Sequence, residues 1–266
     1  MCGGAELGFL QAALYGIGVV AAVPTSPTGF ATEKAVSAAR GLRDLLVSMA
    51  AAVRSGGGGG GGNGEDPDDD VDNDDDDDDD DNEGDNAGGS LGDALDNGVA
   101  ALGKFVVHHG LEWGRAGGAR DVQALARAWT HLLPLRFDPE EAVPAHAALA
   151  SALRDAELRN LLLQPPPPDG GGGGGEGASS SSPIVRIGSI CLEVVVMCSN
   201  DSPAARAYVQ GLQTKMAEQA PSFPVALKAA MQLVKARQVV GSVPARGQFA
   251  DAETINQFIN LLNALR

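Results

Sequence analysis

The segment from Trp129 to Val143, WTHLLPLRFDPEEAV, constrains the fold more than any other part of the chain. Apolar residues recur at helical spacing up to Pro134, which ends that helix because proline lacks the N–H that a continuing helix needs. Asp138 can cap a second helix, Pro139 fits its first position, and Glu141 completes the spacing of a capping box. A connection this short predicts two helices that pack antiparallel. Since similar patterns occur on both sides, the sequence predicts an array of helix pairs.

Apolar periodicity predicts nine helices in the chain. Their expected bounds are Glu6–Ala22, Thr32–Arg54, Leu91–His109, Ala119–Leu133, Asp138–Leu153, Ile184–Met197, Pro203–Gln219, Val225–Val239 and Ala252–Leu265. The β-branched run 194–196 would suit a strand, but no second strand is predicted for it to pair with, so a helix is expected there. Pro144 is expected either to kink its helix or to make the helix restart at Ala145.

Two low-complexity tracts interrupt these helices, and their Gly, Asp, Pro and Ser residues cannot build a core. The expected organisation is HEAT-like helices at 1–54, a disordered Gly/Asp-rich acidic insertion at 55–90, HEAT-like helices at 91–163, a disordered Pro/Gly/Ser insertion at 164–183, and C-terminal HEAT-like helices at 184–266. Units of roughly 40 residues match the HEAT or armadillo length, and such units bury their apolar faces by stacking. The predicted fold class is therefore all-α, an α-solenoid of HEAT-like antiparallel helix pairs with two disordered insertions.

The formal net charge of −16 arises from one stretch. Residues 65–85 hold 16 acidic and no basic side chains, which leaves 35 − 16 = 19 acidic against 19 basic residues elsewhere. A local negative block favours contact with a basic protein and disfavours DNA, RNA and anionic membranes as partners. The block is either a solvated spacer or a tether that attracts basic cargo. The candidate cargo contacts are Asp68, Asp69, Asp70, Asp74, Asp75, Asp76, Asp77, Asp78, Asp79, Asp80 and Asp81.

Short motif matches in this chain lack the context that catalysis or metal binding requires. Gly98–Phe105 begins like a phosphate-binding loop, but it ends in Phe where Ser or Thr should hold magnesium. Gly88–Gly92 matches a nucleophile elbow without a preceding strand, and the aspartate run offers Ser90 where a calcium loop needs Glu. The histidines show no zinc spacing; they are His108, His109, His131 and His146. We expect no enzymatic activity, no cofactor and no bound metal.

The cysteines and the hydropathy pattern favour an intracellular protein. Cys191 and Cys198 are expected to be buried, reduced thiols. No run reaches the roughly 20 apolar residues of a spanning helix. Phe9–Val23 is shorter and lacks the basic flank of a signal peptide.

Four segments resemble the karyopherin-beta (importin-beta) family of nuclear transport receptors, specifically the C-terminal HEAT repeats of the importin beta-3 type, with the importin-four type next. They are Leu10–Ala22 (LQAALYGIGVVAA), Asp96–Phe105 (DNGVAALGKF), Trp129–Ala142 (WTHLLPLRFDPEEA) and Asp251–Leu265. The second is similar to the family's E-N-x-x-S-A-x-G-K helix and the third to its W-L-x-x-L-P-L-x-x-D-x-x-E-A turn. The chain departs from the family in its two insertions and in lacking the N-terminal repeats that bind Ran.

The resemblance implies the C-terminal portion of a nuclear import receptor, a monomer that carries basic cargo such as ribosomal proteins or histones. It also implies Ran-dependent release, contact with Ran and FG nucleoporins through the full-length receptor, and residence in cytoplasm, nucleus and nuclear pore. The alternative is a HEAT-repeat scaffold subunit without a transport role. A third class, an acidic histone chaperone, would need only the charged tract. Because the first helix has no predicted partner before it, we expect a piece of a longer solenoid or a truncated gene model.

Overall fold

The computed structural model describes residues 4–22, 32–56, 91–164, 182–218, 224–239 and 248–265. This part of the chain is helical, as the sequence predicted. Its helices are α1 (Gly4–Ala21), α2 (Thr32–Gly56), α3 (Leu91–Trp113), α4 (Ala119–Leu132), α5 (Pro139–Arg154), α6 (Ala156–Leu163), α7 (Pro183–Met197), α8 (Pro203–Glu218), α9 (Val225–Val239) and α10 (Ala252–Ala264). A π-helical turn, Gly114–Gly118, joins α3 to α4. The expected helix over 184–197 is confirmed as α7.

Helix α3 is the centre of the N-terminal half. It packs antiparallel on α4, because Gly110 lies against Val122 whereas Gly103 lies against Trp129. It packs parallel to α1, since Gly98 contacts Leu14 and the His109 side chain, farther along α3, bonds to the carbonyl of Ala21. Helix α5 also packs on α3.

The helices form two layers. Helices α1, α3 and α5 pack side by side in one layer, and α2, α4 and α6 pack side by side in the other. The antiparallel pair α3–α4 bridges the layers, and α5 packs on α6. Because the pair α3–α4 contacts both the two helices before it and the two helices after it in the sequence, the arrangement is solenoid-like.

The C-terminal helices continue the array. Helix α7 packs on α9 and α10, and α10 reaches back to α5 and α8. One apolar core runs through the described helices. Its largest fully buried side chains include Leu14, Leu46, Leu102, Leu125, Trp129, Leu149, Ile190, Phe249 and Phe258.

Three local expectations are corrected. Helices α4 and α5 do not form the close antiparallel pair expected from their short connection. Helix α4 packs chiefly on α3 and α2, and α5 packs chiefly on α3 and α6, so the turn 133–138 joins successive units instead. Helix α5 runs without a break through the exposed Pro144, so it does not restart at Ala145, which was one of the two outcomes expected there. Helix α6 was missed; Asp155 caps it by accepting from the N–H groups of Glu157 and Leu158.

Candidate functional site

The candidate cargo contacts, Asp68–Asp70 and Asp74–Asp81, lie outside the described residues. The structure does describe where this tract is attached, at the end of α2 and the start of α3. Leu46 of α2 contacts Gly98 near the start of α3. Arg40, six residues before Leu46, pairs with Asp121, which follows the end of α3. Helices α2 and α3 are therefore antiparallel. Both attachment points lie at one edge of the array.

The same edge carries the turn 133–138, and Asp96 of α3 holds it. One carboxylate oxygen, Oδ2, accepts hydrogen bonds from the backbone N–H groups of Arg136 at 2.8 Å, Phe137 at 2.6 Å and Asp138 at 2.9 Å. Next to it, a Cβ added to Gly92 would lie 2.5 Å from the Phe137 ring, so only glycine lets the turn approach α3 this closely. The turn is thus fastened to the first two helical turns of α3.

Burial dominates the electrostatics of Asp96, whose side chain is 3% exposed. Desolvation of the charged form raises its pKa from 3.8 to about 7, against the lowering effect of the three N–H donors. The nearby carboxylate of Asp138 raises the pKa further. Asp96 can therefore hold its proton close to neutral pH.

The capping box predicted at Asp138 is half correct. Oδ1 of Asp138 accepts from the N–H groups of Glu140 at 3.0 Å and Glu141 at 3.2 Å, as expected of an N-cap. The reciprocal bond to the Asp138 N–H comes from Asp96 rather than from Glu141. The Glu141 carboxylate instead pairs with Lys104 of α3 at 3.4 Å, which ties α5 to α3.

Asn97 adds a second polar link at this junction. Its side-chain N–H₂ donates to the Asp93 carbonyl at 2.9 Å and to Oδ2 of Asp138 at 3.1 Å. The pair 96–97 is buried although both residues are polar. The sequence carried a signal for this role, because two polar residues interrupt the apolar pattern of a helix, but their partners about 40 residues away were not predicted.

Helix α7 secures the other end of the turn. The guanidinium of Arg186, 6% exposed, donates to the carbonyls of Thr130 at 3.0 Å, His131 at 2.9 Å and Leu133 at 2.7 Å. These carbonyls end α4, so the cation both satisfies them and opposes the negative end of the helix dipole. Glu193, also on α7, forms an ion pair with Arg136 in the turn.

His146 of α5 is fully buried and links the turn to the C-terminal unit. Its Nε2 accepts from the Leu135 N–H at 3.2 Å, so Nδ1 carries the proton and donates to the Phe249 carbonyl at 2.7 Å. Burial lowers its pKa to about 4, because a charged ring would be desolvated and would place an N–H against the Leu135 N–H. His146 is thus a neutral packing residue.

These contacts define a polar junction, the set Asp96, Asn97, Arg136, Asp138, His146 and Arg186, around the turn 133–138. Each member holds backbone or a neighbouring side chain, so the arrangement fixes the angle between successive units. The residues of the phosphate-loop match, Gly98–Phe105, lie within α3, and Lys104 pairs with Glu141. In the described part of the chain, no group of three or more His, Cys, Asp or Glu side chains is placed to hold a metal ion.

An open cleft of about 290 Å³ lies beside the π-helical turn. The cleft is lined by Gly110, Val122, Asn160, Leu161 and the ion pair of Arg115 and Glu157.

Burial makes the thiol of Cys191 unreactive. Its pKa lies well above its usual range because the thiolate would be desolvated. Both Cys191 and Cys198 are free and buried, as predicted.

No family model, curated protein or solved structure matches this chain. Among the described residues, no helix combines the length and apolar character that crossing a bilayer would require.

Proposed function

We propose that this chain is a non-enzymatic, protein-binding α-solenoid that serves as the C-terminal portion of a nuclear import receptor for basic cargo. The observation that carries the proposal is the position of the acidic tract. It contains 16 acidic and no basic residues, and its attachment points lie at one edge of a repeat array that a polar junction braces. A segment of high negative charge density that is attached to a rigid helical array is suited to bind a positively charged protein.

The transport role rests on the resemblance to the karyopherin-beta family, and it brings with it the proposed partners. These are ribosomal proteins or histones as cargo, and Ran and FG nucleoporins through the full-length receptor. The corresponding compartments are cytoplasm, nucleus and nuclear pore. The two-layer packing of the helices supports the proposal, because stacked helix pairs present extended surfaces to protein partners.

The first experiment measures binding of a core histone to the whole chain at two salt concentrations. Deleting Glu65–Asp85 should weaken binding about tenfold or more at low salt, because the tract supplies the long-range attraction, and should change little at high salt, where the Debye length is about 3 Å. The matched control keeps the tract length and changes Asp68–Asp70 and Asp74–Asp81 to Asn. It should behave like the deletion. Equal binding by all three proteins at low salt would exclude the tether role.

The second experiment separates the alternatives. An isolated 55–90 peptide that binds histone as tightly as the whole chain would favour the acidic histone chaperone. If the chain extended upstream released a basic cargo when Ran–GTP is added, this would support the import receptor. Retention of cargo in the presence of Ran–GTP would favour the scaffold subunit.

A further inference from the structure

Helix α9 carries positive charge without negative charge. Its sequence, VALKAAMQLVKARQV, has three basic residues and no acidic one. Leu227, Ala230 and Val234 are buried on the side of α9 that packs against α7. Lys228 and Lys235 are exposed and lie about two helical turns apart, which places them on one face. We call these two residues the lysine face.

The charge of the lysine face is not balanced locally. In the described part of the chain, neither Lys228 nor Lys235 forms an ion pair with an acidic side chain. The sequence around them is basic as well, since residues 203–250 hold six basic residues and one acidic residue, a net charge of 6 − 1 = +5. The residues counted are Arg206, Lys215, Lys228, Lys235, Arg237 and Arg246 against Glu218.

The acidic tract carries the opposite charge at higher density. Glu65–Asp85 holds 16 acidic residues and no basic one, so this tract and the segment 203–250 differ sharply in sign. A single exposed ion pair contributes little, but a run of aspartates offers each lysine many carboxylates in many arrangements. Such a contact requires no fixed geometry and weakens as salt is added.

The tract can reach α9 from its attachment point at the start of α3, beside which the turn 133–138 lies. Arg136 of that turn pairs with Glu193 of α7, and α7 packs on α9. About two helix spacings, roughly 20 Å, therefore separate the attachment point from α9. The stretch from Asp81 to Leu91 can span up to about 33 Å when extended, which covers this distance.

Covalent attachment favours the chain's own tract over a separate acidic protein as the occupant of the lysine face. A tether of this length keeps the aspartates at an effective concentration on the order of 1 mM. A separate acidic protein would have to reach a similar concentration to displace them.

We propose that the lysine face of α9 binds the chain's own acidic tract and thereby competes with basic cargo for the aspartates. The inference rests on the proposed function, since competition matters only if the tract captures cargo. Cargo must displace the lysines before it binds, so its apparent affinity is reduced by the fraction of chains in which the tract is free. Strongly basic proteins displace two lysines readily and weakly basic proteins do not, so the contact selects for cargo of high positive charge.

Carbodiimide cross-linking of the whole native chain, mapped by mass spectrometry, tests the contact without cargo. The reagent forms an amide between a carboxylate and a lysine amine that touch each other. At low salt, Lys228 and Lys235 should link to carboxylates of Glu65–Asp85, and the links should disappear in 1 M salt, where the Debye length is about 3 Å. Lys215 of α8 is the internal control, because it is equally exposed but has Glu218 one turn away.

Three results of this experiment would overturn the proposal. The first is the absence of links from the tract to the lysine face. The second is equal linking of Lys215, which would show attraction to any lysine. The third is linking only within a species of twice the chain mass, which would show that the tract binds a second copy.

A binding assay with a core histone tests the competition. The double variant Lys228→Glu with Lys235→Glu should bind histone about threefold or more tightly than its matched control at low salt, because the tract is released. The control, Arg120→Glu with Arg159→Glu, makes the same change in charge at exposed residues of α4 and α6. Thermal denaturation would verify that both variants fold. Equal binding by the two variants would exclude the competition.

The two experiments distinguish failure of this inference from failure of the proposed function. Links to the lysine face in a chain that binds no histone would support the contact and overturn cargo capture by the tract. Histone binding that depends on Glu65–Asp85 in a chain without these links would leave cargo capture intact and overturn the contact with α9.

Discussion

Removing the Asp96 carboxylate should lower the free energy of unfolding strongly, because one of its oxygens accepts three backbone hydrogen bonds. Replacing it with Ala removes the acceptor of three backbone N–H groups in the turn 133–138. Those donors lie in a partly buried turn between α3 and α7, where water replaces the lost bonds only in part. A buried donor left unsatisfied costs about 1–3 kcal/mol, and the three share one acceptor, so their costs are not additive. We expect the free energy of unfolding to fall by about 3–5 kcal/mol.

Urea denaturation followed by circular dichroism at pH 7 measures this loss as a shift of the midpoint. Glu112→Ala is the control, because Glu112 lies on the same helix but is exposed. It should change the free energy of unfolding by less than about 0.5 kcal/mol. A loss below about 1 kcal/mol for Asp96→Ala would show that the three hydrogen bonds do not hold the junction.

Asp96→Asn separates hydrogen bonding from charge. The folded chain keeps the Asp96 proton up to a pKa of about 7, whereas the unfolded chain releases it near pH 3.8. The stability that this carboxyl contributes is therefore full below pH 3.8 and is lost as pH rises through 7. Asn mimics the protonated form, so the stability of Asp96→Asn relative to the native chain should increase between pH 4 and pH 8. A constant difference across this range would contradict the raised pKa.

Two further changes test neighbouring contacts. Gly103→Ala places a Cβ 2.6 Å from Nε1 of the buried Trp129 and should lower the melting temperature by a few degrees, equivalent to about 1–3 kcal/mol, whereas Gly211→Ala, with open space around it, should raise it. For His146, the folded pKa of about 4 lies below the unfolded value of 6.5, so its contribution to stability is lost as pH falls from 6.5 towards 4. The stability advantage of the native chain over His146→Gln should shrink by about 3 kcal/mol between pH 7 and pH 4. An advantage that does not change with pH would contradict a neutral buried ring.

The local features of this fold could be predicted from the sequence because their causes are local. Asp138 and Pro139 mark the start of α5, and Asp251 caps α10 through the Thr254 N–H, since a cap needs only neighbouring backbone. The continuous helix α7 was predicted despite its valines because an isolated strand has nothing to pair with. Helix α6 escaped prediction because its start is separated from α5 by Asp155 alone, which left no room for a visible loop.

The polar junction could not be predicted, because its partners are far apart in sequence. Capping-box spacing assigned the Asp138 N–H to Glu141, three residues away, but Asp96 occupies that position from α3. Once Asp96 does so, Glu141 is free to pair with Lys104, and the same spacing serves a contact between helices. The capping-box spacing thus identified Asp138 and Glu141 as important, but it did not predict their contacts with Asp96 and Lys104.

For the acidic tract, too, the sequence predicts the local character but not which parts of the fold lie next to it. Composition predicts a coil, and an unconstrained coil of this length spans about 33 Å. The antiparallel packing of α2 and α3 places both attachment points at one edge, so the chain leaves and re-enters the array there. The middle of an ideal coil of this length whose two ends are held together has a root-mean-square reach of only about 17 Å before charge repulsion extends it. Under the proposed function, basic cargo drawn in by the aspartates would be delivered to the edge that carries the turn 133–138, and the rigidity of the polar junction would determine whether that edge has one shape or several when the cargo arrives.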